Sequence, residues 1–141
     1  MAFKAGKLAF IRIDGVAGTP VDVSAYADDF SWPQSIETAE TTAFGQTAKS
    51  SIPTLSDGDT VSMSGPLDVA MGTFLATIKA AQAAGSSSAT IEYSPGGSVA
   101  GQVKISAEAW LTGYNPASQV GGRVEYSASW QITGACTNGT W

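Results

Sequence analysis

Two segments decide the fold of this chain: QVKISAEAWLT at residues 102–112 and RVEYSASWQITG at residues 123–134. In both, apolar and polar residues alternate almost without interruption, which is the pattern of a β-strand with one buried face. Turn-prone residues at 114–121 separate them, so the sequence predicts a long C-terminal hairpin over about 101–135. Each strand would hold about eleven residues, roughly twice the common length.

The two faces of this hairpin differ in chemistry, because one is apolar and the other is polar and mostly uncharged. Trp110 is the exception on the polar face, where it would oppose Glu125 if the hairpin closed symmetrically about residues 117 and 118. It either contacts another element or subunit or is a tolerated exposed tryptophan. The predicted core face comprises Val103, Ile105, Ala107, Ala109, Leu111, Val124, Tyr126, Ala128, Trp130 and Ile132. The polar face includes Lys104, Ser106, Glu108, Glu125, Ser127, Ser129 and Gln131.

Upstream of the hairpin, the sequence predicts shorter strands. Residues 7–14, 21–23, 26–36 and 60–67 are apolar or alternating segments bounded by turn-prone residues. Together with the hairpin they indicate a mainly β fold. We expect a single domain over 1–141, an antiparallel β-sandwich or barrel with one α-helix packed against it.

The helix is predicted over about 69–84. Asp68 is a suitable N-terminal cap and Gly85 a suitable C-terminal stop. Four apolar residues recur at spacings of three and four, which predicts that one face of the helix is buried. They are Met71, Phe74, Leu75 and Ile78.

The segment ETAETTAFGQTAKSSIPTLSDG at 37–58 is polar and has no hydrophobic period of its own. It is therefore predicted to be a long loop between strands, and a connection of this length inside a compact domain is usually functional or disordered. Phe44, Ile52 and Leu55 place apolar side chains along it. This composition favours a loop that docks on another surface over one that stays solvated.

Composition limits the possible functions. At 141 residues the chain has the length of one domain with one core. Charged residues make up 13%, about half the globular average of ~25%, which hints that other copies or partners cover part of the surface. A net charge of −5 with dispersed Lys and Arg argues against nucleic-acid binding. No long apolar run is present, so we expect a protein made in a cytoplasm, without membrane contact.

No catalytic constellation is complete in this sequence. Without histidine a Ser-His-Asp arrangement is impossible, and the single cysteine, Cys136, excludes an intrachain disulfide. Glu37 and Glu40 form either an acid/base pair or two solvated carboxylates, and Asp57 with Asp59 either part of a calcium site or a turn. Cys136 is either a nucleophile or an inert small residue. The sequence predicts no enzyme, no cofactor and no metal site.

Short motifs follow one another along the chain in a recognisable order. They are ETTAFG at 40–45, TAK at 47–49, IPTL at 52–55, DG at 57–58 and VSMSG at 61–65. A helix, EYSPG at 92–96 and a closing long hairpin follow in the same order. This arrangement, over about residues 11–140, resembles that of the tail tube (major tail) proteins of long-tailed, siphovirus-like bacteriophages.

The resemblance implies a protomer that forms hexameric rings, which stack into a tube through which DNA passes without specific binding. It implies a virion protein of the phage tail, assembled in the host bacterial cytoplasm with tape measure, tail terminator and baseplate or tip proteins as partners. It also assigns the long loop to contact with the adjoining ring. The predicted inter-ring or inter-subunit interface residues are Glu40, Thr41, Thr42, Phe44, Lys49, Ile52 and Trp110.

The chemistry of the residues agrees with a tube wall. One face of the long strands would make the core, and the polar face would line a lumen or meet a neighbour. Negative charge suits a conduit that must repel phosphate. Three alternatives remain open: the tube of a contractile tail or secretion device, a ring-forming tail terminator and, third, a β-sandwich binding module.

Overall fold

The computed structural model describes residues 6–15, 18–56, 59–85 and 88–141. Short 3-10 helices lie at Gly6–Leu8 and Ser24–Tyr26. The strands are β1 (Phe10–Asp14), β2 (Pro20–Asp22), β3 (Asp29–Ser31), β4 (Ile36–Glu40), β5 (Ser51–Ser56), β6 (Thr60–Pro66), β7 (Ala89–Ser94), β8 (Val103–Ala117) and β9 (Glu125–Thr140), and the α-helix is α1 (Val69–Ala83).

Seven strands form one sheet in the order β2-β1-β7-β8-β9-β6-β3, with every neighbouring pair antiparallel. The two edge strands are close in sequence, and the seven Cα–Cα steps from Asp22 to Asp29 span at most about 25 Å. Phe30 of β3 also contacts Tyr93 of β7, with ring centroids 4.4 Å apart. The sheet therefore rolls until its edges approach each other, which confirms the predicted mainly β, antiparallel class.

The core lies inside the rolled sheet and is closed by α1. Trp130, Ile13 and Ile91 are fully buried strand residues. The apolar stripe of α1 joins the same core cluster through Met71, Leu75 and Ile78. The helix begins as expected, because the Val69 N–H donates to Asp68 Oδ1 at 2.8 Å. It is followed by Gly85, whose φ of +90° suits glycine.

A close crossing of the chain over β6 helps to roll the sheet. The 3-10 helix Ser24–Tyr26 passes so near Gly65 that a Cβ there would collide with the Tyr26 carbonyl oxygen. The same carbonyl accepts a 2.7 Å hydrogen bond from the buried Tyr126 hydroxyl. Glycine at 65 and tyrosine at 126 thus fix the segment that joins the two edges of the sheet.

The C-terminal hairpin is longer than predicted, and its register differs. β8 continues through residues 114–117, which the sequence suggested were a turn, and Trp110 opposes Gln131 instead of Glu125. The pairing differs because the chain turns after Ala117 and not about residues 117 and 118. A separate shift between Leu111 and Gly113 reverses the alternation and puts Tyr114 on the core side. The chain actually turns within 118–124.

The predicted core face is buried through the middle of the hairpin but not at its ends. Ala107, Ala109 and Leu111 are buried on β8, and Ile105 is partly buried. Tyr126, Ala128, Trp130 and Ile132 are buried on β9. Val103 and Val124 are about half exposed, which corrects their assignment: Val103 pairs with Thr140 at the open end of the hairpin, and Val124 lies in the turn.

Two upstream segments also differ from the predictions. The first strand begins at Phe10, because Gly6–Leu8 forms a 3-10 helix. The segment predicted as extended over 26–36 contains only β3 and the first residue of β4, with Pro33 in the irregular stretch between them. Within the described ranges, no helix is long and apolar enough to cross a membrane.

The segment predicted as a loop over 37–58 is instead a β-hairpin. β4 and β5 pair antiparallel in a separate two-stranded sheet, here called the arm (residues 36–56). Every residue of 33–54 is exposed, so no buried face imposed the alternation by which strands are recognised. Residues 57–58 at the end of the predicted loop lie outside the described residues.

Candidate assembly surfaces

The arm is the longest continuously exposed segment among the residues that the structure describes. The side chain of Phe44 is 108% exposed relative to its reference state, and Ile36 and Ile52 are more than half exposed. Large apolar side chains left in water on a strand pair are typical of a surface that another chain covers. The arm therefore has the properties of a contact element.

Hydrogen bonds give the tip of the arm a defined shape. The Thr41 N–H donates to the Ser50 carbonyl at 2.8 Å, and the two hydroxyls lie 3.0 Å apart. The Ala43 N–H donates to Gln46 Oε1 at 2.6 Å. Phe44 and Lys49 lie in the loop that these bonds close.

The root of the arm is tied to the rest of the chain, here called the body, at two points. The side-chain amides of Gln34 and Asn138 exchange hydrogen bonds of 3.2 and 3.1 Å. Asp59 accepts from the Ser35 N–H at 2.8 Å and from its hydroxyl at 2.9 Å. A cleft of about 420 Å³ lies beside these bonds and includes the half-buried thiol of Cys136. The arm thus leaves the body in a direction set by polar contacts.

The structure brings most of the predicted interface residues together. Six lie on the arm, whereas Trp110 lies on the outer face of β8 beside Gln131. Their role as an interface remains a prediction. The six are Glu40, Thr41, Thr42, Phe44, Lys49 and Ile52.

The polar face of the hairpin continues across the neighbouring strands as a surface of small hydroxyl side chains. Ser129 and Ser127 of β9 pair with Ser62 and Ser64 of β6. On the other side of β8, the Glu108 carboxylate accepts hydrogen bonds from Thr90 and Ser88 at 2.6 and 2.9 Å. This surface is neutral to acidic. The predicted lumen or interface residues on it are Ser106, Glu108, Glu125, Ser127, Ser129 and Gln131.

Lys104, also predicted for this face, interacts with two side chains of its own chain. Its ammonium lies 4.4 Å from the centre of the Trp141 ring and 3.8 Å from Glu92 Oε2. Arg12 forms an ion pair with the same Glu92 and lies 5.1 Å from the same ring. Two of the chain's cations are therefore held at one end of the polar face, a cluster that the spacing of these residues along the sequence did not reveal.

A second unpredicted feature is a cleft of about 470 Å³ where the edges of the rolled sheet approach. It is here called the seam cleft and is lined by Lys7, Asp28, Asp29, Phe30 and Tyr93, among others. Burial raises the pKa of the Tyr93 hydroxyl. Only the fold brings these residues together, since Asp28–Phe30 and Tyr93 are far apart in sequence.

One wall of the seam cleft is fixed by an ion-pair network. Arg123 pairs with Asp28 and donates from Nε to Glu125 Oε1 at 2.8 Å. Hydrogen bonds to Asp28, which contributes more, and to Glu125 raise the pKa of Arg123.

Across the described ranges, no three His, Cys, Asp or Glu side chains come together as a candidate metal site. Glu37 and Glu40 are both exposed on β4.

No family model and no curated protein matches this sequence. Solved structures do match its fold. A chain in the tail of the empty gene transfer agent particle superposes with a TM-score of 0.74 over 96% of this chain and 98% of that one, at 14% identity. The fold is that of tail tube proteins.

Two further similar structures come from different assemblies. The SPP1 tail tube protein gives a TM-score of 0.72 over 98% of this chain and 80% of its own, at 13% identity. A chain of the anti-feeding prophage baseplate gives 0.72 over 98% and 97%, at 9% identity. The tail tube fold therefore extends over almost the whole of this chain.

Proposed function

We propose that this chain is a non-enzymatic structural subunit of a phage tail tube. In this proposal, copies form hexameric rings, the rings stack, and DNA passes through the resulting tube into the host. The subunit would belong to the virion and assemble in the host bacterial cytoplasm. Its partners would be further copies of itself and the tape measure, terminator and baseplate or tip proteins.

The observation that carries the proposal is the arm. In this two-stranded hairpin, every residue of 36–54 is exposed, and Phe44, Ile36 and Ile52 present apolar surface to solvent. Such a hairpin is marginally stable alone. A contact between an arm and a different surface of the next copy is head-to-tail, and head-to-tail contacts generate open filaments or rings.

Charge and symmetry support a conduit. Six copies of a chain of net charge −5 would carry −30, which would keep phosphate from adhering to the wall. On the hydroxyl-rich polar face, β6 and β9 contain no Lys or Arg. Lys104 of β8 and Arg12 of β1 are engaged by Glu92 and Trp141. The similar gene transfer agent chain belongs to a tail with C6 symmetry.

A contractile or secretion-type tube, or a tail terminator, is the second candidate. It is favoured by the likeness to a chain of the anti-feeding prophage baseplate, which shows that the same fold occurs in more than one kind of assembly. Co-assembly with a sheath protein would distinguish this candidate from a tube without a sheath.

Negative-stain microscopy of the purified protein over a range of concentrations tests the proposal. Stacked rings with a central hole are expected. Phe44→Ala should leave the monomer folded and impair stacking, whereas Val120→Ala, which removes an equally exposed apolar side chain away from the arm, should assemble normally. Persistent monomers, even beside tail-initiating proteins, would overturn the proposal and favour a binding module.

A further inference from the structure

The seam cleft has an apolar floor and a charged rim. Phe30 and Tyr93 stack at a centroid distance of 4.4 Å, with their rings inclined by 33°. Both side chains are only partly buried, so aromatic surface remains accessible in the cleft. The volume of about 470 Å³ is enough for one aromatic side chain with its flanking backbone.

Two oppositely charged groups have no ion-pair partner within the described residues. Asp28 at the rim is held by Arg123, but the carboxylate of its neighbour Asp29 pairs with no residue in the described part of the chain. On the arm tip, Lys49 likewise pairs with no described residue. Lys49 belongs to the same closed loop as Phe44, so the tip carries one aromatic ring and one cation.

The tip therefore matches the aromatic floor of the seam cleft in polarity and the Asp29 carboxylate at its rim in charge. We propose that the seam cleft of one copy receives the arm tip of a second copy, with Phe44 against Phe30 and Tyr93 and Lys49 paired with Asp29. This inference rests on the proposed function, because it names the acceptor for the arm in the assembly. Aromatic anchors in partly buried pockets, surrounded by polar contacts, are typical of interface hot spots.

The cleft at the arm root is the weaker acceptor. Its amides of Gln34 and Asn138 bond to each other, and its Asp59 carboxylate is held by Ser35. It therefore offers no free anion to Lys49. Among the described residues that line it, none is aromatic, so it offers Phe44 no ring to stack on.

A charge exchange tests the pairing. Asp29→Lys and Lys49→Asp should each raise the protein concentration needed for assembly by at least about fivefold, because each places like charges together. The double variant Asp29→Lys/Lys49→Asp should return close to the wild-type value. Lys79→Asp, which reverses an exposed lysine on α1, is the matched control and should assemble normally.

The outcomes separate this inference from the function on which it rests. If wild-type protein forms stacked rings but Asp29→Lys assembles equally well, or the double variant is no better than the single ones, the seam cleft is not the acceptor. If wild-type protein forms no assembly, the proposed function fails and this inference with it. Thermal unfolding of each monomer shows that the variants fold.

Site-directed cross-linking gives an independent readout. In a Cys136→Ser background, one copy carries Ala9→Cys in the seam cleft and another carries Thr47→Cys in the arm tip. Oxidation of the mixture should yield a covalent dimer, since a disulfide requires Cα atoms within about 7 Å. Thr73→Cys on the exposed face of α1, mixed with Thr47→Cys, should not. Equal yields from the two mixtures would contradict the inference.

Discussion

The body and the arm of this molecule use β-strands in opposite ways. In the body, one face of the strands buries Trp130, Ile13 and Ile91 in the core, and the other face presents hydroxyl groups to solvent. In the arm, every residue of 36–54 is exposed, and backbone pairing of β4 with β5 and hydrogen bonds at the tip join the two strands. The same secondary structure therefore stabilises the fold in one region and supplies contacts in the other.

This difference separates stability from assembly. Because apolar burial supplies most folding free energy, the body should carry nearly all the stability of the monomer. The arm contributes little to folding, so its side chains can be selected for contact with another copy. The two regions meet at polar bonds from Gln34 and Ser35, which orient the arm without adding to the core.

The largest effect is expected from Trp130→Ala. The side chain is fully buried, and its loss should lower the free energy of unfolding by about 3–5 kcal/mol through lost burial and a cavity. Chemical denaturation measures this change. Trp110→Ala is the control: this outer-face residue is 37% exposed, and its loss should cost less, about 1–2 kcal/mol. Equal losses from the two variants would show that the outer face is also packed in the monomer.

Alkaline pH should destabilise the body through Tyr126. Burial, with smaller contributions from Asp28 and Tyr114, raises the pKa of its hydroxyl from 10.0 to about 12. The folded state keeps this proton while the unfolded state loses it, so the stabilisation is complete below pH 10 and disappears as the pH rises to about 12. The loss should reach about 2–3 kcal/mol.

Denaturation curves across this pH range check the prediction. Tyr126→Phe should flatten the slope between pH 10 and 12, because it removes the titrating group while keeping the ring. A slope unchanged in the variant would assign the alkaline loss to other groups, among them Tyr93, whose pKa is also raised.

Gln82 is expected to stabilise the monomer at the place where β8 extends beyond its pairing with β7. β7 pairs with β8 only as far as Ala109, and beyond it the Gln82 amide accepts from the Leu111 N–H at 2.9 Å and donates to its carbonyl at 3.2 Å. The side chain thus replaces a strand at this edge. Gln82→Met leaves both groups of Leu111 unpaired and should cost about 1–3 kcal/mol by denaturation. Lys79→Met on the exposed side of α1 should cost little, and an equal loss would attribute the effect to the helix itself.

Strands and helices that bury one face can be predicted from the sequence, whereas the exposed strands of the arm cannot. The middle of the long hairpin, β6 and α1 could be predicted because each has apolar residues at the spacing of a buried face. Trp130, Met63 and Leu75 are buried examples from these three elements. The sequence predicts a loop where the arm forms, because strand residues exposed on both faces need no alternation of apolar and polar side chains. The apolar residues that marked it as a contact element, Phe44 and Ile52, were nevertheless recognisable in a polar segment.

Register and tertiary contacts were not predictable for a different reason. One extra residue between Leu111 and Gly113 reverses every later side chain, and the resulting loss of alternation resembled a turn. The seam cleft joins Asp29 and Phe30 to Tyr93 only because Gly65 lets the chain cross β6 closely. Such contacts depend on how the sheet rolls, and local patterns in the sequence carry no information about it.

The smallest effect on stability is expected from Phe44→Ala in the monomer. The ring contacts solvent on all sides, so its removal should change the free energy of unfolding by less than about 0.5 kcal/mol. Denaturation below the assembly concentration, beside Trp130→Ala under the same conditions, measures the contrast directly. A loss above about 1 kcal/mol would mean that the arm folds back on the body in solution. In that case Phe44 would be a core residue of the monomer, and assembly would first have to release it.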